Sequence, residues 1–325
     1  MADRHSSPSR RETALKLRPD RRTLIIAASV LVVLLLLTAL ALRGCGSPET
    51  VPAPAPTAAP TGVPTAAPDD GALTPAPPAT ELAPPDLSEA IAARNVQRRD
   101  GFPLLAWDVE KFSIGSDGRM SYSGAGTLTG VDVSEHQGKI NWKKVAADGV
   151  DFAMIRLGYR GSTAGGLYLD EFYETNMAGA AAAGVPVGVY FFSQAVDPRE
   201  AQEEAAFVLE HLKGYDVAFP VVFDWEIVGG SAARTYTVSR RTLVECARTF
   251  CEAVKEQGYD PMIYFTRYLG YRKYILRNLT DYGFWYAEYE ARPRFAFDFD
   301  MWQYSESGTV SGIDGSVDLN ILYRG

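Results

Sequence analysis

Phe219-Pro220-Val221-Val222-Phe223-Asp224-Trp225-Glu226 is an apolar run that ends in two carboxylates one residue apart. Its composition predicts a strand over 219–226, and side chains two apart on a strand share one face. Working outward, strands are expected at Gly130–Ser134, Phe152–Leu157 and Val187–Phe192 before it. Others are expected at Met262–Phe265, Phe284–Glu288, Asp300–Ser305 and Ser316–Leu319 after it. Helical patterns separate most of them: Trp142–Asp148, Asp170–Ala183, Pro198–Leu212, Ser239–Gln257 and a stretch near Tyr268–Asn278. Asp197 stands as an N-cap with Pro198 in the first turn, and Gly184 closes the helix before it. Repeated strand–helix units imply a parallel sheet with right-handed crossovers. Eight strands with five helices then give an α/β fold, a TIM-like (β/α)5(β)3 barrel whose last part lacks helices.

In such a barrel the strand ends carry the chemistry. Reading those ends places Asp132, Asp224, Glu226 and Asp318 around one mouth, with Tyr190, Trp285, Trp302, Gln303 and Tyr304 beside them. Two carboxylates on one face repel, and burial raises at least one pKa further, so one stays protonated while its neighbour ionises. That division suits cleavage of a glycosidic bond, which needs a proton on the leaving oxygen and negative charge near the sugar cation. Trp225, Trp285, Trp302 and Tyr304 supply flat rings suited to sugar faces. His136 and His211 are read as local hydrogen-bonding and helix-end residues. Cys246 and Cys251, five apart on one helix, are read as buried free thiols. His and Cys are too few and scattered for a metal site, and no phosphate-binding glycine loop stands between a strand and a helix, so no cofactor is expected.

The remaining third of the chain has a different character. Residues 1–22 carry a net charge of +4, residues 23–85 of −3, and the remainder of −9. An acidic barrel repels phosphate backbones, which excludes a nucleic-acid binder. Three Cys in 325 residues exclude a disulfide-stapled scaffold. Thr23–Leu42 is a charge-free run of 20 residues, about 30 Å long as a helix, and the basic flank before it predicts a cytoplasmic N-terminus. It is read as an uncleaved signal anchor, residues 23–42 behind a cytoplasmic tail, residues 1–22. A cleaved signal peptide is disfavoured by the length of the run, and lipidation of Cys45 by Arg43 beside it. Twelve of the 20 prolines lie between Ser47 and Pro85, so residues 43–85 read as a disordered Pro/Ala/Thr-rich linker. Residues 86–127 are expected to form a short helix, Asp86–Arg99, and a hairpin flap over Phe102–Tyr122 with its turn at Ser116-Asp117-Gly118. Residues 128–325 form the barrel.

Gly130-Val131-Asp132-Val133-Ser134-Glu135-His136-Gln137-Gly138 with Ile140-Asn141-Trp142 resembles the opening of glycoside hydrolase family 25, the Chalaropsis-type lysozymes. Phe152-Ala153-Met154-Ile155-Arg156 and Phe223-Asp224-Trp225-Glu226 resemble its second strand and its D-x-E strand. Trp302-Gln303-Tyr304, Gly312-Ile313 and Val317-Asp318-Leu319-Asn320 resemble its closing segment. The resemblance covers about residues 128–325. It implies an eight-stranded barrel with five helices, and an N-acetylmuramidase acting on peptidoglycan at the β-1,4 bond between N-acetylmuramic acid and N-acetylglucosamine. It implies that Glu226 is the general acid. Asp224 orients or stabilises a reacting N-acetyl group or helps position water, and Asp132 and Asp318 tune the pair and hold substrate. Tyr190, Tyr264, Trp285 and Gln303 line the groove by position. Glu288 departs from the pattern, where a neutral or basic residue is expected. A chitinase-type barrel would need Asp at 219 and 222, where Phe219 and Val222 stand. A catalytically silent wall-binding module using the same cleft is the alternative of a different class. Together these readings describe a monomer on a bacterial cell membrane, a single-pass protein with its catalytic domain outside.

Overall fold

The computed structural model describes residues 103–124, 126–229 and 233–323. The basic tail, the apolar run, the linker and the helix expected over 86–99 lie outside those residues. Among the described residues no helix is long and apolar enough to cross a membrane.

The eight expected strands form, mostly a little longer than their apolar runs. They are β3 (Thr127–Val133), β4 (Phe152–Arg160), β6 (Val187–Ser193), β7 (Val221–Trp225), β8 (Pro261–Thr266), β9 (Gly283–Ala287), β10 (Met301–Gly308) and β11 (Val317–Tyr323). They run in the order β3-β11-β10-β9-β8-β7-β6-β4, and β3 pairs with β4, so the sheet closes. Among the described residues five helices accompany them: α1 (Trp142–Ala147), α2 (Tyr173–Ala183), α3 (Pro198–His211), α4 (Arg240–Glu256) and α5 (Arg267–Arg272). The expected caps are present, with Asp197 accepting from Glu200 N and Ser239 from Thr242 N.

All pairings from β3 through β4 and β6 to β10 are parallel, whereas β11 runs antiparallel to both of its neighbours. This corrects the all-parallel expectation. The reason is connection length, since a parallel crossover takes about a dozen residues or more and the segment between Gly308 and Val317 is shorter.

Period-2 alternation sorts the strand side chains into two layers. Phe152, Met154, Val222, Met262, Tyr264, Trp285 and Met301 fill the barrel interior. Ala153, Ile155, Phe223, Trp225, Ile263, Phe265, Tyr286, Trp302 and Ile321 face outward and are buried too, as strands covered on both faces require. α4 supplies Leu243, Ala247, Phe250 and Val254 to that outer layer, and Cys246 and Cys251 are buried there as free thiols.

Among the described residues an aromatic cluster, and no helix, packs on the outer face of β10 and β11. The hairpin of β1 (Phe112–Ile114) and β2 (Met120–Tyr122) brings Phe112 to within 5.1 Å of the Trp302 ring. Trp107 lies tilted against Tyr323, with ring centres 4.9 Å apart, and donates Nε1–H to Phe299 O at 2.9 Å. The hairpin strands are shorter than the expected span, because Asp108 caps a 3₁₀ turn at Val109–Lys111 and frees Trp107 to pack against the barrel. A further short strand, β5 (Leu167–Leu169), pairs back onto the end of β4. No strand was expected there, because Gly161–Gly166 breaks the apolar pattern just before it.

Candidate active site

The rim formed by the carboxyl ends of the parallel strands collects the four acids. Asp132 lies one residue from the end of β3, and its register partner is Asp318. Asp318 had been expected at the carboxyl end of the last strand. It stands instead near the amino end of β11, and only the reversed direction of that strand delivers it to the same rim.

Asp132 is buried. Its Oδ2 accepts from Gln303 Nε2 at 2.9 Å and Asn320 Nδ2 at 2.7 Å, and its carboxyl also shares a hydrogen bond with Asp318. Burial raises Asp132, while these three hydrogen bonds favour its charged form. Asp318 is pushed up to about 9, by burial first and then by the negative charge of Asp132. Two carboxyls so close do not both ionise at neutral pH, so Asp318 keeps its proton and donates it toward Asp132.

Asp224 and Glu226 reach the same mouth from β7. Between them Trp225 points outward, fully buried, and donates Nε1–H to Ala195 O at 2.8 Å. Asp224 is held well above the usual carboxylate range by burial, then by the charges of Glu226 and Asp132, with Arg156 opposing. Its Oδ1 is buried and without a hydrogen bond. Glu226 is half-buried and pushed up to about 7, by burial and then by Asp132. Its backbone carbonyl is gripped by Gln194 Nε2 at 2.8 Å and Thr235 Oγ1 at 3.3 Å. The mouth therefore holds a carboxyl that carries its proton near neutrality beside carboxyl groups that differ in charge state, the arrangement that acid-assisted bond cleavage requires.

Against this geometry stands the family match. The model of the Glycosyl hydrolases family 25 fits residues 131–313, more than half of the chain. The chain belongs to glycosyl hydrolase family 25. It is similar to an autolytic lysozyme of Clostridium acetobutylicum, 27% identical over 200 residues that make up 61% of this chain and 56% of that protein. Lysozyme M1 of Streptomyces globisporus is 27% identical over 261 residues, 76% of this chain and 84% of the relative. The modular autolysin LytC from Streptococcus pneumoniae, solved in complex with a synthetic peptidoglycan ligand, aligns with a TM-score of 0.56 and 25% identity. That alignment covers 68% of this chain and 52% of LytC. The family 25 chain thus spans little more than half the length of the clostridial relative and of the pneumococcal autolysin.

Within the family 25 barrel, Tyr190, Tyr264, Trp285 and Gln303 converge below the acids. Trp285 donates Nε1–H to Asn320 Oδ1 at 2.8 Å and meets Tyr264 and Tyr190 edge-on, at 5.0 and 6.0 Å. Gln303 Oε1 accepts from Tyr264 at 3.0 Å and from Tyr289 at 3.1 Å, which fixes its amide NH₂ toward Asp132. With 1% of its surface exposed, Trp285 forms the floor and offers no stacking face.

Tyr304 was expected at the sugar groove and is not there. Gln303 points inward, so its strand neighbours Trp302 and Tyr304 point outward. Tyr304 packs on Trp302 at 5.8 Å and is bonded to the backbone of Met120 on β2. Trp225 and Trp302 are likewise outer-layer residues. Glu288 also points away from the interior. It accepts from Tyr286 Oη at 2.7 Å and from Arg294 N and Nε at 2.7 and 2.9 Å, and so anchors the segment between β9 and β10.

Arg156, Asp170, Glu135, Asn320 and Tyr289 were not foreseen as site residues. Arg156 is buried at the mouth, with Nε 2.7 Å from Asp170 Oδ2 and Nη2 2.9 Å from Glu135 Oε1. A signal was present, because an arginine inside the apolar run FAMIRL must be paired wherever it is buried. His136 sits in the 3₁₀ turn Glu135–Gln137, where burial and the charge of Arg156 lower its pKa.

Proposed function

We propose that this chain is a lysozyme-type peptidoglycan hydrolase, an N-acetylmuramidase that cuts the β-1,4 bond between N-acetylmuramic acid and N-acetylglucosamine. The observation that carries the reading is the gathering of Asp132, Asp224, Glu226 and Asp318 at one rim, where burial and the charge of Asp132 raise Glu226 to about 7. Glu226 gives that proton to the leaving glycosidic oxygen. Asp132, ionised and fixed by Gln303 and Asn320, sets negative charge near the sugar cation, and Asp318 ties Asp132 in place. Asp224 orients the reacting N-acetyl group or positions water. Residues 23–42 anchor the chain in a bacterial membrane, residues 43–85 hold the barrel away from it, and a single copy works outside the cell.

The test is mass analysis of fragments released by the full chain from purified peptidoglycan, after borohydride reduction. Reduced muramic acid ends are expected, and none from Glu226→Gln. Reduced glucosamine ends would move the specificity elsewhere. Binding without cleavage by both proteins would make the chain a silent wall-binding module. For the anchor, protease added to intact cells should remove the barrel and spare the tail.

A further inference from the structure

One exposed aromatic ring is stacked on a neighbour that reaches the buried arginine of the mouth. Tyr159 on β4 and Tyr168 on β5 are cross-strand partners whose rings stack at 5.3 Å with an interplanar angle of 28°. Tyr159 is half-buried, whereas Tyr168 is 49% exposed. The pair is continuous with the site. The guanidinium of Arg156 lies 5.4 Å from the centre of the Tyr159 ring, and that same guanidinium acts electrostatically on Asp224. The far end of the hairpin is tied to the same place, because Asp170, the residue after β5, holds Arg156 Nε and accepts from Glu135 N at 3.0 Å.

The turn beneath Tyr168 is glycine for a reason. A Cβ on Gly166 would lie 2.8 Å from Tyr168 Oη, and one on Gly161 would lie 3.3 Å from Cε2. The Tyr168 ring therefore rests on bare backbone. Gly161 N–H donates to Gly166 O at 2.8 Å, and Arg160 Nη1 donates to Gly165 O at 2.7 Å, so the support is fixed. With its support fixed and its outer surface half open, the ring loses little freedom on binding.

We propose that Tyr168, backed by Tyr159, is a stacking platform for a sugar ring of the glycan strand beyond the scissile bond, an outlying subsite that makes the protein prefer long strands. A tyrosine face matches the C–H face of a pyranose, and a neutral sugar approaches an acidic mouth without charge repulsion. The proposal rests on the reading of the cleft as a saccharide site.

The experiment is calorimetric titration of the full chain with peptide-free glycan oligosaccharides of eight or more sugars, in the Glu226→Gln background. Adding Tyr168→Ala should raise Kd about tenfold, the range of one aromatic contact. Tyr168→Phe should restore binding, since the ring and not the hydroxyl does the stacking. Gly166→Ala, which retains the tyrosine but pushes on its ring, should also weaken binding, so the test survives should Tyr168→Ala fold poorly. Ile114→Ala, an exposed apolar residue on the hairpin of β1 and β2, is the control and should bind as the parent does. A Kd within twofold of the parent for Tyr168→Ala, a Tyr168→Phe as weak as Tyr168→Ala, or no binding by the parent overturns the platform. Tyr168-dependent binding by a wild-type chain that cleaves none of these glycans would sink the hydrolase reading and leave the platform standing.

Discussion

Replacing the acid Glu226 with glutamine should stabilise the protein, and only above a definite pH. In the fold its carboxyl is raised from the usual 4.5 to about 7. A raised carboxyl is at no disadvantage below the unfolded pKa, where both states are protonated. As pH climbs from 4.5 to about 7 the unfolded chain ionises first, so stability is lost across that window and stays lost above it. A shift of this size corresponds to about 3 kcal/mol at face value. Glu226 is only half-buried, and solvent screening brings the expectation to about 1–3 kcal/mol. Glutamine keeps the shape and carries no charge at any pH. The difference in stability, Glu226→Gln minus wild type, should therefore be near zero at pH 4 and about 1–3 kcal/mol in favour of the variant at pH 8. For a barrel of this size that is a rise of about 2–10 °C in Tm. Titrations far from the mouth are common to both proteins and cancel. Asp224 does not cancel, because the charge of Glu226 helps to raise it; its relief has the same sign and adds to the effect. The assay is thermal unfolding followed by near-UV circular dichroism at pH 4, 6 and 8. An equal shift at all three pH values, or a variant less stable at pH 8, would refute the burial argument for the acid.

The same geometry constrains other variants. Activity on peptidoglycan should fall on the alkaline side near pH 7 as Glu226 loses its proton; Asp132→Asn removes a charge that raises Glu226, so the residual activity should lose its alkaline limb at a lower pH, read from the pH profile of kcat/KM. Arg156→Met leaves the buried Asp170 carboxylate without its cation and should cost about 3–5 kcal/mol in urea unfolding. Tyr304→Ala empties outer-layer space beside Trp302 and should cost about 3 kcal/mol of stability with KM for peptidoglycan unchanged, a result that a sugar-contacting Tyr304 would contradict.

How far the sequence reads through to the fold depends on the range of the interaction that decides each feature. The strand over 219–226 was legible because its apolar run is local, and the spacing of Asp224 and Glu226 already places them on one side of a pleated chain. Asp132 and Asp318 were legible as rim acids because each lies in a short apolar run. The direction of β11 was not, since nothing within Ser316–Leu319 says whether its neighbour runs alongside or against it. Tyr304 was misplaced for a related reason. In a barrel buried on both faces, inner and outer side chains are equally apolar, so composition along β10 does not say which of Trp302, Gln303 and Tyr304 looks in. Gln303 was the available clue, because an amide in that run needs polar partners, and these are found inside at Asp132, Tyr264 and Tyr289.

That asymmetry explains how the site is charged. Seven strands deliver side chains to the mouth in parallel, and the one reversed strand delivers a carboxyl next to Asp132. Asp132 and Asp318 are register neighbours, so their proximity is imposed by backbone hydrogen bonding and does not depend on side-chain choice. Proximity forces one of the two to keep its proton, and Asn320 and Gln303 decide which: both donate to Asp132, leaving Asp318 as the protonated partner at about 9. The charge thus localised on Asp132 is one of the two causes that hold Glu226 up to about 7. The reversed strand, two amide side chains and a proton on Asp318 therefore form one chain of causes that ends at the proton on Glu226.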